Sequence, residues 1–317
     1  MPSVTLAESA KLAQDELVAG VIENIITVNQ MFELLPFDGI DGNALAYNRE
    51  NVLGSAGVAG VGSAIDTAVN PIDSSTNAKN AATFTFVTST LTTILADAEV
   101  NGLIQATRSG DGNDQKAVQV ASKAKHVGRI YQHMLINGTG SANQFNGLIN
   151  LCASSQKVDT GANGGAISFQ FLDELLDLVK DKSGQVDYIA MHARTIRSFK
   201  ALLRTLGGAS VNEVVELPSG ARVMAYSGVP IFRNDWIPIN QTKGSGSNQT
   251  TIFAGTFDDG SRLHGISGLT AQTMAGVNVV EVGEAENKDE SITRLKWYCG
   301  LALFSELGLS CADGITN

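Results

Sequence analysis

The chain has 317 residues, of which 43% are hydrophobic, 17% charged and 6% aromatic, and its formal net charge is −10. The hydrophobic content excludes a disordered chain, the lack of a strict period excludes a collagen-like or coiled-coil rod, and the acidic balance argues against a surface that grips nucleic acid by neutralising phosphates. Charged residues fall short of the roughly 25% usual in globular domains, so a chain of this length is expected to bury part of its outside against copies of itself.

Residues 5–30 predict an amphipathic helix, because Leu6, Ala10, Ala13, Leu17, Val21, Ile25 and Val28 recur at steps of three and four. Thr5 and Glu8 open it with a capping-box pattern. The segment 51–80 changes character: it holds Gly54, Gly57, Gly60 and Gly62, many Ala and Ser, few charges, and Lys79 as its lysine. It has no sustained period. Thr83-Phe84-Thr85-Phe86-Val87-Thr88 then alternates as a strand, with residues 43–50 as its antiparallel partner. Two strands joined by a long small-residue connection form a protruding arm. Such an arm builds no core of its own and needs a neighbour's surface to be ordered.

A short helix is predicted over 97–107. The clearest helix runs over about 113–136, where Ala117, Val120, Ala124, Val127, Tyr131 and Met134 form one stripe and Gly138 supplies the stop. Further helices are predicted over 168–182 and 194–206. Strands are predicted over 187–191, 213–217, 221–225, 230–233, 250–254, 277–282 and 292–306. The polar, Gly/Ser-rich stretch 241–248 reads as a mobile, exposed loop. Helices and strands mix without regular alternation, which predicts an α+β fold.

No constellation for chemistry emerges. His126, His133, His192 and His264 lack metal-ligand spacing, and neither a nucleophile elbow nor a phosphate loop is present. Asp111, Asn113 and Asp114 lack the twelfth-position Glu of a calcium loop and read as a helix cap. Cys152, Cys299 and Cys311 form no C-x-x-C and read as buried thiols of a reducing compartment. Arg194, Arg197, Lys200 and Arg204 read as a solvated helix face, and Trp236 and Trp297 as core or interface aromatics in strand-like contexts. No signal-peptide pattern and no run of 18 apolar residues occurs. No catalytic residue, metal site or cofactor is predicted.

One ordered set of motifs carries a resemblance. Leu135-Ile136-Asn137-Gly138-Thr139-Gly140, followed by Gly147-Leu148-Ile149, resembles the turn that ends the spine helix in tailed-phage major capsid proteins of the Hong Kong 97-like fold. The stretch from Asp187 to Leu202, then Tyr226-Ser227-Gly228-Val229-Pro230-Ile231, then Ile252 to Phe257 are similar to later family motifs, in the family's order. The family's acidic turn position is Thr139 here. The resemblance spans about 83–310. It implies an N-terminal arm or helix (1–40), an extended loop (41–90), a peripheral domain with the spine helix (91–150, joined by strands from 270–305) and an axial domain (151–269 and 306–317).

It also implies a structural role and no enzyme activity: a subunit forming pentamers and hexamers of an icosahedral shell around double-stranded DNA. The shell would be located in the virion after assembly in the host cytoplasm. Portal, scaffolding and decoration proteins are the implied partners, with DNA contacted only weakly and no membrane involved. The residues singled out are the turn (Asn137, Gly138, Gly140, Gly147), a capsomer-axis loop (Gly207, Gly208, Ser210, Asn212) and the inter-subunit arm (Gly54, Gly57, Gly60, Gly62, Lys79). Three alternatives stand beside it, one of them a tail or decoration protein, against which the long helix followed by the Gly-x-Gly turn counts. An encapsulin-like nanocompartment shares the fold but encloses protein cargo. A soluble enzyme with an unrecognised site belongs to another class, and the missing catalytic set counts against it.

Overall fold

The structure, a computed structural model, describes residues 30–76, 78–108, 114–205, 213–217 and 220–316. Of the predicted N-terminal helix only Gln30 is described, where it opens α1 (Gln30–Leu34). The predicted capsomer-axis residues Gly207, Gly208, Ser210 and Asn212 lie outside the described residues. The described residues divide into two compact units, one drawn from 30–94, 127–278 and 296–316, the other from 95–126 and 279–295.

In the larger unit an eight-stranded sheet has the order β5 (Gly165–Ala166), β15 (Leu309–Thr316), β11 (Gly246–Gly255), β6 (Tyr188–Met191), β9 (Val229–Arg233), β8 (Arg222–Tyr226), β7 (Glu213–Glu216), with β10 (Gln241–Lys243) on β11. Two helices, α5 (Phe169–Leu178) and α6 (Ala193–Thr205), press their apolar stripes onto it. Leu172, Leu175, Phe199 and Leu203 from the helices meet Ile189, Met191, Ile231, Ile252 and Ile315 from the strands in one core. Ser168 starts α5 by accepting the Phe171 N–H at 3.2 Å. Because β6 lies inside the sheet, all of Tyr188–Met191 is buried. Tyr226 and Val229 pair across a two-residue turn in which Ser227 (φ 51°) and Gly228 (φ 79°) both take positive φ, the hairpin geometry that matches strand twist.

A second sheet has the order β1 (Phe37–Ile40), β12 (Ile266–Ala271), β14 (Glu290–Leu303), β13 (Asn278–Glu284), with β4 (Thr92–Asn101) also on β14. A separate ribbon pairs β2 (Ala44–Val52) antiparallel with β3 (Thr83–Thr90), as the alternation at Phe84 and Phe86 predicted.

Several expectations change. Residues 97–101 complete β4, and the helix α2 starts only at Gly102 (Gly102–Arg108). In β4 the buried positions Thr92, Ile94, Ala98 and Val100 keep a two-residue period, which the helix-favouring run Ala96-Asp97-Ala98-Glu99 obscured. The stretch 241–248 is a hairpin, not a mobile loop: Gln241 pairs with Gln249, whose side chain is fully buried. Trp236 sits in a turn, not a strand, with its indole N–H on Gln132 Oε1 at 3.1 Å. Strands β1, β12 and β15 escaped the sequence reading because Gly39, Gly268 and Gly314 break their apolar pattern.

The long helix is α3 (Gln115–Asn137), and Asp114 caps it by accepting the Lys116 N–H at 3.0 Å. Of the predicted stripe, Ala117 is exposed, Val120 and Ala124 are half-buried, and only Val127, Tyr131 and Met134 are buried. Tyr131 centres an aromatic knot. Its ring lies 4.7 Å from Trp297, 5.6 Å from Phe32 and Phe37, and 5.4 Å from Phe145, and its hydroxyl donates to the Gly300 carbonyl at 3.2 Å. Burial holds the phenol well above its ordinary pKa, so it stays a neutral donor.

The smaller unit has its own ties. Arg294 grips Asp97 with two bonds of 2.8 Å, which lowers the Asp97 pKa, and Lys116 pairs with Glu281. Leu95, Leu103, Ile104, Val279 and Val282 of this unit are exposed.

Tyr131→Ala should lower the unfolding free energy of the chain by about 3–5 kcal/mol, whereas Tyr131→Phe, which loses one hydrogen bond, should cost about 1 kcal/mol. Urea denaturation of both variants checks this; equal losses would place the stabilisation in the hydroxyl rather than in ring packing.

Candidate assembly surfaces

The turn after α3 brings together all four residues predicted for it. Gly138 donates to the Met134 carbonyl at 2.8 Å, and Gly147 donates back to the Gly138 carbonyl at 2.9 Å. Thr139 and Asn146 pair between them, and Gly140 donates to the Phe145 carbonyl at 3.3 Å. The loop thus folds back over the helix C-terminus and satisfies carbonyls that the helix leaves open. The approach is too close for a side chain. A Cβ on Gly138 would lie 2.2 Å from the Phe145 oxygen, and one on Gly147 would lie 2.5 Å from the Gly138 nitrogen. Asn137 Nδ2 donates to the Trp236 carbonyl at 2.9 Å, and Gly147 leads into α4 (Leu148–Leu151). The turn therefore positions the end of the helix; it presents no chemistry of its own.

The ribbon β2–β3 carries the larger surface. Its two faces differ. One face, with Leu45 and Tyr47, packs on the body beside Ile40, Leu269, Ala302 and Phe304, and Val87 lies opposite Tyr47 in the ribbon register. Tyr47 donates to the Leu303 carbonyl at 2.6 Å, and its ring packs at a tilt against Phe304, 5.3 Å between centroids. Arg49 donates to the carbonyls of Phe304 (2.9 Å) and Leu303, and ion-pairs with Glu306 at 2.6 Å. No sequence signal had marked Tyr47 or Arg49; the only trace was their two-residue spacing on a predicted strand. The opposite face, in register Asn48↔Phe86 and Glu50↔Phe84, is bare: Phe84 is 65% and Phe86 69% exposed.

Beyond the ribbon, residues 53–82 join β2 to β3 and hold most of the segment expected as the arm over 51–82, with Gly54, Gly57, Gly60, Gly62 and Lys79. Its order is local: Ser55 donates to the Asn80 carbonyl at 2.9 Å, Val58 and Val69 exchange backbone bonds, and Lys79 lies 3.7 Å from Asp66. Ala68 is buried beneath Gly57, where a Cβ would come within 2.9 Å of the Ala68 carbonyl carbon. The large apolar side chains point outward instead: Leu53 is 76% and Ile72 92% exposed, with Val58, Val61 and Ile65 also exposed. Large uncovered apolar side chains gathered on one element are the raw material of an association surface.

Among the described residues no catalytic set is brought together. Among the described residues no group of three or more His, Cys, Asp or Glu is placed to hold a metal ion. His264 contacts Asp181 at 2.7 Å, and His133 packs edge-on against Trp236. His192 is held below its usual pKa by burial. Arg197, Lys200 and Arg204 lie exposed along α6.

The chain combines a long helix ended by a closed glycine turn, a body of mixed sheets and helices, and a two-stranded ribbon with a bare apolar face. Solved structures share this fold. The SrpI encapsulin of Synechococcus elongatus PCC 7942 superposes with a TM-score of 0.71 at 18% identity, over 99% of this chain and 96% of that one. The capsid of Myoviridae phage XM1 gives 0.63 at 11% identity over 99% and 100%, and the capsid of a native GTA particle 0.62 at 11% over 100% of both chains. The architecture is the Hong Kong 97-like capsid fold. No curated protein sequence matches the chain. The SU10 major capsid protein family matches residues 55–229, more than half of the chain, and the chain belongs to that family. It is a major capsid protein, a structural subunit and not an enzyme, which self-assembles into the multi-subunit capsid of a virion.

Gly138→Ala should destabilise the chain by about 1–3 kcal/mol through overpacking. Gly128→Ala, at a position in α3 with open space around the added methyl, should leave the chain as stable as before or up to about 1 kcal/mol more so. Thermal denaturation of the two variants checks the contrast.

Proposed function

We propose that this capsid subunit assembles through pentamers and hexamers into a closed icosahedral shell around double-stranded DNA of a tailed phage, with the arm of residues 53–82 laid on an adjacent subunit. The single observation that carries this reading is the ribbon and arm, fixed at the base by Tyr47 and Arg49 yet apolar and uncovered on its outer face. Covering a large apolar side chain contributes roughly 1.5–3 kcal/mol. Leu53, Val58, Val61, Ile65, Ile72, Phe84 and Phe86 together therefore offer a gross gain on the order of 10 kcal/mol per neighbour.

In this reading residues 1–40 are the N-terminal arm, 41–90 the extended loop, 91–150 with strands from 270–305 the peripheral domain, and 151–269 with 306–317 the axial domain. The loop holding Gly207, Gly208, Ser210 and Asn212 meets its copies at the capsomer axis, where small residues suit a crowded site. Assembly takes place in the host cytoplasm with scaffolding and portal proteins and a decoration protein. The net charge of −10 keeps contact with packaged DNA weak.

The expressed chain should give closed shells or ring-shaped capsomers by negative-stain microscopy. A monodisperse monomer in the presence of its own assembly partners would overturn the reading. A bulky peptide inserted after Gly208 should block capsomer formation while leaving the subunit folded; normal capsomers would place that loop away from the axis.

A further inference from the structure

The three cysteines are not equivalent. Cys299 lies in β14 and Cys311 in β15, strands of different sheets. Cys152 follows α4, and its sulfur meets that of Cys311 at 2.6 Å, about 0.6 Å beyond the length of a disulfide bond. Both thiols are free and buried. Their backbones are fixed: the Cys152 N–H donates to the Leu148 carbonyl at 3.1 Å, and the Cys311 carbonyl accepts the Val158 N–H at 2.9 Å. Cys311 also lines a cavity of about 270 Å³ together with Lys157, Lys243, Gln249 and Asp313, wide enough for a small oxidant.

We propose that Cys152 and Cys311 are a disulfide-forming pair that stays reduced during assembly and closes when the particle enters an oxidising medium. The pairing itself does not depend on the shell; only its timing rests on the virion reading above. Reducing compartments keep such thiols free. The side-chain hydrogen bond with Cys311, and after it burial, hold the Cys152 pKa well above that of a free thiol, with Lys157 pulling the other way and Asp313 adding to the rise. Closure is therefore slow and needs a peroxide-class oxidant that reaches the cavity.

The Cys311 thiolate attacks one oxygen of hydrogen peroxide; the O–O bond breaks, leaving a sulfenic acid and hydroxide. The Cys152 thiolate then attacks that sulfur, the S–S bond forms, the S–O bond breaks, and a second hydroxide leaves. The two thiol protons turn both hydroxides to water, and two electrons pass from the sulfurs to the peroxide. The bond ties α4 to the C-terminal strand β15 and closes a long loop through the axial core, which restricts the unfolded chain.

The test uses the full chain, reduced with dithiothreitol and then exposed to hydrogen peroxide, denatured, alkylated and mapped by mass spectrometry. The chain holds three cysteines, so three alkylated thiols are expected before oxidation and one after, that one being Cys299, with a linked peptide pair joining Cys152 to Cys311. The oxidised chain should also melt several degrees higher, and Cys152→Ala should lose that rise. Three alkylated thiols after oxidation, a sulfinic acid at Cys311 without linkage, or a bond through Cys299 or between chains would each overturn the proposal. The count reads the same in free subunits and in shells, so a failure of assembly leaves it intact.

Discussion

The outward part of this molecule depends on the anchorage of one ribbon. Arg49 spends its guanidinium on the carbonyls of Leu303 and Phe304 and on the Glu306 carboxylate, and Tyr47 adds a hydroxyl bond and a ring contact beside it. Hydrogen bonds made by a charged donor contribute about 1.5–3 kcal/mol each. That is enough to hold a two-stranded ribbon, which alone in water is marginally stable at best. The period of two then does the rest. Once Tyr47 faces the body, Phe84 and Phe86 must face away from it. The bare apolar face is thus a geometric consequence of the anchor.

The same logic runs through the body. The eight-stranded sheet and α5 and α6 share one buried core, whereas α3 is buried only from Val127 onward. The Tyr131 knot and the folded-back glycine turn fix that buried end. The charged fraction of 17% fits a subunit much of whose surface is covered in the assembled shell rather than by solvent.

How much of this was legible in the sequence depended on local periodicity. The long helix, the helices α5 and α6 and the Phe84–Phe86 strand carry strong patterns and were read within a few residues. The glycine turn was legible through a resemblance, but its physical reason, a backbone approach that excludes any Cβ at Gly138 and Gly147, appears only in three dimensions. Strands such as β12 and β15 are buried on both faces, so they show no alternation, and their glycines imitate turns. Tyr47 and Arg49 were missed because their partners lie more than 250 positions away along the chain. Hydrogen bonds to backbone carbonyls leave no trace in the identity of the partner residue. The contact of Cys152 with Cys311 was hidden for the same reason: 159 positions separate the pair, with no spacing rule to join them.

The central claim is that residues 53–82 acquire from a neighbour the burial they lack in their own subunit. Hydrogen–deuterium exchange, compared between free subunits and assembled shells, tests it most directly. The account predicts rapid exchange across 53–82 in the free subunit and strong slowing in the shell, with the core strands β6 and β11 protected in both. Equal protection of the arm in the two states would mean that it folds onto its own body, and would contradict the account.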